Sequence, residues 1–224
     1  TAVAAIIQHN TSGIISLKDS GITSPKKMEG HSYATWDMPI EQAIIKKVVT
    51  DDGGDYSKIN LISTSVEDIK AALSSNIDSV WIYYAWDGIA CELQGLDTNF
   101  FYFKDYSPEL DDYSPVIIAN NDFLKNNSEV AKKFMAALSK GYDYAIENPD
   151  DAAQILVDAN EGLDIELCKK SQNWLASQYK ADADKWGVID QKRWDAFYGW
   201  VYDNGLCEID IPDGFGFSND YLPE

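Results

Sequence analysis

Strand-like and helical patterns alternate along this chain, which predicts an α/β protein with largely parallel sheets. Three observations carry the prediction. Short apolar runs at residues 3–7, 59–62 and 116–119 are separated by segments of helical period. The run at residues 80–84 is apolar on both faces, as suits a buried parallel strand. The second half of the chain is dominated by helix signals.

In chain order, residues 3–7 predict a strand, and Gln8-His9-Asn10-Thr11-Ser12-Gly13 a polar interruption at the surface or at a crossing between lobes. Residues 14–17 predict a second strand, and residues 24–30 a short helical turn closed by glycine. Residues 32–36 form a strand, and Pro39 opens a helix with a stripe of Ile40, Ala43, Ile44, Lys47 and Val48. A loop at residues 51–55 leads to a strand at 59–62 and a helix at 65–73. Strands follow at 80–84, 100–103 and 116–119. Ser128 is the expected N-cap of a helix striped by Val130, Phe134, Leu138, Tyr142 and Ala145. Asn148-Pro149 stops that helix and starts another, with acids in its first turn. Further helices fit residues 165–178 and 191–203, the last closed by Asn204-Gly205.

Composition excludes several classes of partner. A formal charge of −19 argues against nucleic acid, whose phosphates need Lys and Arg clusters, and against an anionic membrane surface. Cys91, Cys168 and Cys207 form neither a disulfide framework nor a metal-ligand spacing, and His9 and His31 do not make a metal site. No stretch approaches the roughly 20 apolar residues of a membrane-spanning helix. The chain opens within a strand and without methionine, which suggests a processed or truncated start.

The candidate site is Tyr83-Tyr84-Ala85-Trp86-Asp87-Gly88. An open α/β sheet binds its ligand at the carboxyl ends of its strands. There, Tyr83, Tyr84 and Trp86 offer flat faces and Asp87 an acceptor, a pairing suited to a planar nitrogen heterocycle. An aromatic core strand, with Asp87 merely capping the next turn, would present the same residues. Trp36 precedes a helix start at Asp37-Met38-Pro39, where Asp37 and Glu41 would oppose an anion and favour a neutral or cationic ligand. Asn10, Thr11 and Ser12 offer amide and hydroxyl groups at the crossing. Trp174, Trp186, Trp194 and Trp200 are assigned to helix packing, and the acid pairs at 51–52, 111–112 and 150–151 to loops and caps.

Together, Gln8 to Gly13, Trp36-Asp37-Met38-Pro39-Ile40-Glu41 and Tyr83 to Gly88 resemble the extracytoplasmic substrate-binding proteins of ABC transporters. The resemblance is to the branch that binds thiamine pyrimidine precursors such as formylaminopyrimidine. Tyr113-Ser114-Pro115-Val116-Ile117, the run Lys140 to Pro149 and the tail Trp200 to Gly205 with Phe217 to Pro223 mark the wider family. The resemblance implies a periplasmic-binding-protein-like fold of type II: two α/β lobes closing on a ligand cleft. Residues 1–28 and 114–224 would form the first lobe and residues 29–113 the second. It also implies a further segment before Thr1 in family members, holding part of the first lobe and of the ligand site. Asp87 stands where relatives more often carry glutamate, one methylene longer.

The function so implied is solute capture and delivery to an ABC permease, by a monomer without cofactor, at the outer face of the cell membrane, periplasmic or lipid-anchored. The ligand class would be an aminopyrimidine. The alternatives are an enzyme resembling the fungal pyrimidine synthases, or a binding protein for riboflavin, nitrate or sulfonate. The synthases carry a cysteine-rich run where this chain holds only Cys91, and anionic solutes want a Lys or Arg clamp that is not beside the aromatic motif.

Overall fold

The computed structural model describes residues 1–224. Seven strands follow in chain order: β1 (Ala2–Ala5), β2 (Ser12–Leu17), β3 (Ser32–Thr35), β4 (Asn60–Ser63), β5 (Ser79–Tyr83), β6 (Thr98–Tyr102) and β7 (Val116–Ile118). The helices are α1 (Pro39–Asp51), α2 (Ile69–Leu73), α3 (Ile89–Leu93), α4 (Asn121–Asn126), α5 (Ser128–Glu147), α6 (Pro149–Ala159), α7 (Ile165–Ala176) and α8 (Gln191–Asp203).

The chain divides into two compact units. The first comprises Thr1–Asn10, Asp112–Gly199 and Ile211–Glu224; the second comprises Thr11–Asp111 and Trp200–Asp210. This differs from the grouping expected from sequence, because β2 is built into the sheet of the second unit. Residues 11–28 therefore belong with the second unit, and so do residues 200–210.

In the first unit, β1 pairs antiparallel with β7, and its ends are bridged to Phe217 and Gly187. Val3, Ala4 and Ile7 pack with Met135, Tyr179, Trp186 and Leu222, while Ala2 and Ala5 pack with Tyr113, Ile189 and Trp194. Helix α5 turns Ala131 and Met135 inward, with Leu138 and Tyr142 packed against the same core. Val130 and Phe134, expected on the buried stripe, are instead 55% and 58% exposed. The stripe faces the core from Leu138 onward, whereas in the first turns Ala131 and Met135 take the buried positions. The residue before α5 is Asn127, with Ser128 already helical, and the short α4 before it, capped by Asn120 accepting from Phe123 N, was not foreseen.

The second unit is a five-stranded sheet in the order β4-β3-β5-β2-β6. β3 runs parallel to β4 and β5, while β2 runs antiparallel to both β5 and β6. The sheet is therefore mixed, and β5 is not a wholly parallel strand. Its two apolar faces have separate causes. Val80 and Ile82 enter a core with Ile15, Ala34, Leu73, Ile77 and Cys91, while Trp81 packs between Trp36 and Phe103 on the other face. Helix α2 begins at Ile69 rather than 65, because the Asp68 carboxylate accepts from Ala71 N and fixes the start there.

Candidate functional site

Register alone gathers most of the candidate residues on one edge of the second unit's sheet. β3, β4 and β5 end at this edge with Thr35, Ser63 and Tyr83. The antiparallel β2 begins there, pairing Ser12 with Tyr83 and Gly13 with Tyr102. Thr11, Ser12, Trp36, Tyr83, Tyr84, Trp86 and Asp87 thus converge from three separate stretches of sequence.

Close backbone approach builds the edge. A Cβ on Gly13 would stand 2.0 Å from the Phe101 carbonyl oxygen, so only glycine lets β2 lie this near β6. After Tyr83 the chain makes one wide helical turn, Tyr84–Gly88, before α3. Such single wide turns are frequent at functional sites. The Thr11 carbonyl accepts from Tyr84 N at 3.1 Å and ties the turn to the start of β2.

Three rings face solvent: Trp36 at 46% exposure, Tyr83 at 42% and Trp86 at 43%. Tyr84 is different. Its ring packs on Gly88, where a Cβ would come within 2.6 Å of it, and lies 5.0 Å from Phe100. Its hydroxyl donates to Glu92, so the side chain is engaged inside the unit. Asp87 is partly buried, and burial holds its carboxyl above the ordinary range against the opposing pull of the Tyr83 backbone N–H. A carboxylate desolvated in this way gains from any donor brought to it.

Trp36 leaves β3 beside Trp81, with ring centroids 5.1 Å apart. The turn that carries it bends back on Glu41, which is fully buried. Glu41 accepts from Tyr33 Oη at 2.5 Å, Thr35 Oγ1 at 2.9 Å and Trp36 N at 3.1 Å. Its charge is spent inside the unit and does not face a ligand, contrary to the expectation that it would oppose an anion. Asp37 adopts a left-handed φ of 60° and accepts from the Ser63 hydroxyl.

Thr11 and Ser12 are buried at the start of β2. Asn10 falls in the first unit, where its amide donates to Asp112 Oδ1 at 2.8 Å. His9 pairs with Asp182 at 3.0 Å in the same unit. Sequence reasoning missed Lys104, which follows β6 at the aromatic edge with its ammonium 5.2 Å from the Tyr102 ring centroid. Only knowledge of the β2–β6 pairing could have placed it there.

No group of His, Cys, Asp and Glu side chains is arranged to hold a metal, and no helix is long and apolar enough to cross a membrane. Cys91 is buried under the wide turn, where burial first and the Asp87 charge second push its thiol up to about 11. Such a thiol is a poor nucleophile at neutral pH. A hollow of about 550 Å³ beside Trp194, Tyr198 and Phe215 lies in the first unit and carries rings but no side-chain carboxylate. The aromatic edge combines both kinds of group, so it is the better candidate.

Comparison with known proteins gives the same frame. A family model described as NMT1/THI5 like matches residues 1–152. The formylaminopyrimidine-binding protein of Halalkalibacterium halodurans is 26% identical over 206 residues, which span 89% of this chain and 62% of that protein. Among solved structures, a putative periplasmic sulfonate-binding protein of an ABC transporter from Methylobacillus flagellatus KT superposes with a TM-score of 0.68 at 15% identity. It covers 99% of this chain and 67% of its own. The desulfurization enzyme DSZB superposes with a TM-score of 0.63 at 11% identity, covering 99% and 76%. These likenesses show the periplasmic-binding-protein type of α/β fold, a fold that hosts both binding proteins and an enzyme.

Proposed function

Because this chain belongs to the NMT1/THI5-like family, we propose that it is the solute-binding component of an ABC importer, capturing a thiamine-related aminopyrimidine and delivering it to a membrane permease. The observation that carries the proposal is the convergence of exposed Trp36, Tyr83 and Trp86 with the desolvated Asp87 on one sheet edge. Rings stack on a flat heterocycle, and the carboxylate accepts from its amino group or a protonated ring nitrogen. The name of the Halalkalibacterium relative supports this ligand class. The buried Cys91, with its raised pKa, supports a binding role over thiol chemistry at this edge. Importer function puts the protein on the outer side of the cell membrane.

Lys104 at the same edge favours one second reading, an anionic solute such as an alkanesulfonate. A single ammonium already drawn over the Tyr102 ring is a weak anion clamp compared with a bidentate arginine. The test is a tryptophan-fluorescence titration of this chain and of Asp87→Ala with formylaminopyrimidine, thiamine, riboflavin and taurine. Saturable quenching by the pyrimidine, lost in Asp87→Ala, is the expected result. Saturation by taurine with retention in Asp87→Ala would replace the aminopyrimidine reading with the anionic one.

A further inference from the structure

Taking the proposed ligand edge as given, we infer that Glu41 is a positioning residue for it: its buried carboxylate holds the turn at Trp36, Asp37 and Met38 and thereby fixes the Trp36 indole as a stacking wall.

An acid in the first turn of a helix ordinarily caps it. Glu41 occupies the third position of α1, from which a capping-box acid would reach back to the N–H of Met38, the N-cap residue. It reaches further instead, accepting from Trp36 N, two residues before the cap. The other two donors, the Tyr33 hydroxyl and the Thr35 hydroxyl, come from β3, whose last residue immediately precedes Trp36. One carboxylate therefore binds the strand end, the turn and the helix start together.

The turn needs such a restraint. Asp37 is a non-glycine residue at φ 60°, a conformation that persists only where its surroundings over-determine it. Thr35 Oγ1 relays the restraint, accepting from Asp37 N at 3.0 Å while donating to Glu41. The outcome is an indole that is 46% exposed yet fixed 5.1 Å from Trp81. A wall held before the ligand arrives spares the cost of ordering it on binding.

The test uses Glu41→Gln, Thr35→Val, Thr35→Ser and Trp36→Phe. The Trp36–Trp81 pair is close enough for coupled indole transitions, giving a paired band in circular dichroism that Trp36→Phe removes and so identifies. Glu41→Gln keeps size and shape but points an amide at donors. It is expected to keep the helical spectrum, lose the paired band, and bind formylaminopyrimidine about tenfold more weakly, the loss of one charged hydrogen bond's worth of positioning. Thr35→Val is expected to do the same in lesser degree, and Thr35→Ser, which restores the hydroxyl, to recover both readouts.

Retention of the band and of affinity within twofold in folded Glu41→Gln would overturn the inference. If Glu41→Gln does not fold, retention of both in Thr35→Val does so. Loss of the band alongside a parent chain that binds no pyrimidine would leave Glu41 as the anchor of the turn and remove the proposed ligand instead.

Discussion

Replacing Gly13 by alanine tests the geometry on which the candidate edge depends. Gly13 pairs with Ile82 of β5 on one side and Tyr102 of β6 on the other. The added Cβ would meet the Phe101 carbonyl oxygen at 2.0 Å and Phe100 Cζ at 2.8 Å, where ordinary contact begins at 3.4 Å. The phenyl ring can swing aside. The carbonyl belongs to the backbone of β6, so relief requires β2 and β6 to part by well over an ångström at the first of their five register pairs. Overpacking of this kind costs about 1–3 kcal/mol, and each ladder bond lost with it adds about 1 kcal/mol. A total near 3 kcal/mol, with a urea slope of roughly 1–3 kcal/mol per M, lowers the unfolding midpoint by about 1–3 M. The assay is urea titration followed by tryptophan fluorescence, with Gly141→Ala as the control. At Gly141, inside α5, a Cβ meets nothing within 4 Å, and alanine there is expected to add about 0.5–1 kcal/mol. A midpoint for Gly13→Ala within about 0.2 M of the parent would refute the close-approach reasoning, given the slope above.

The remaining predictions concern the site itself. Trp86→Ala is expected to abolish pyrimidine quenching while leaving stability within about 0.5 kcal/mol, because the ring is exposed. Tyr84→Phe should do the reverse, with affinity within twofold and about 1 kcal/mol or less lost in thermal melts, because its hydroxyl serves Glu92. Burial raises the Asp87 carboxyl above its ordinary 3.8, so folding favours the protonated form and ionisation costs stability. That cost is absent below pH 3.8 and grows as pH rises from there through the raised value. Asp87→Asn should therefore raise the melting midpoint at pH 7, with the gain fading toward pH 3.8; an unchanged difference across that range would contradict the buried-carboxylate picture.

Much of this arrangement was legible in the sequence, and the unread part has identifiable physical causes. Strand positions followed from apolar runs, and the aromatic motif fell at a strand end as expected. Strand direction did not follow, because the period of side chains along Ile14, Ile15 and Leu17 is the same whichever way β2 runs. With its direction unknown, the membership of residues 11–28 was also unknown, and Lys104 could not be placed. Glu41 misled for a different reason. A charged residue beside a candidate site reads as surface, and only the hydroxyls of Tyr33 and Thr35 show that it is buried and satisfied. Tyr83 and Tyr84 are indistinguishable as letters, yet the contact of one ring with Gly88 separates an internal role from an exposed one.

The first strand of the chain is closed by its last residues. Ala2 N donates to Gly216 O at 2.8 Å, Ser218 N donates to Ala2 O at 2.9 Å, and Ala5 N donates to Gly187 O at 2.9 Å. Leu222 completes the core around Val3 and Ala4. During synthesis at about 5–20 residues per second, β1 therefore emerges roughly 10–40 s before the segment that covers it. β7 can cover one edge sooner, but for that interval the other edge of the apolar strand Ala2–Ala5 is not fully closed, a hazard for aggregation that a holding chaperone would relieve. Removing the final dozen residues would make the wait permanent, so damage at the end of this chain is felt at its beginning.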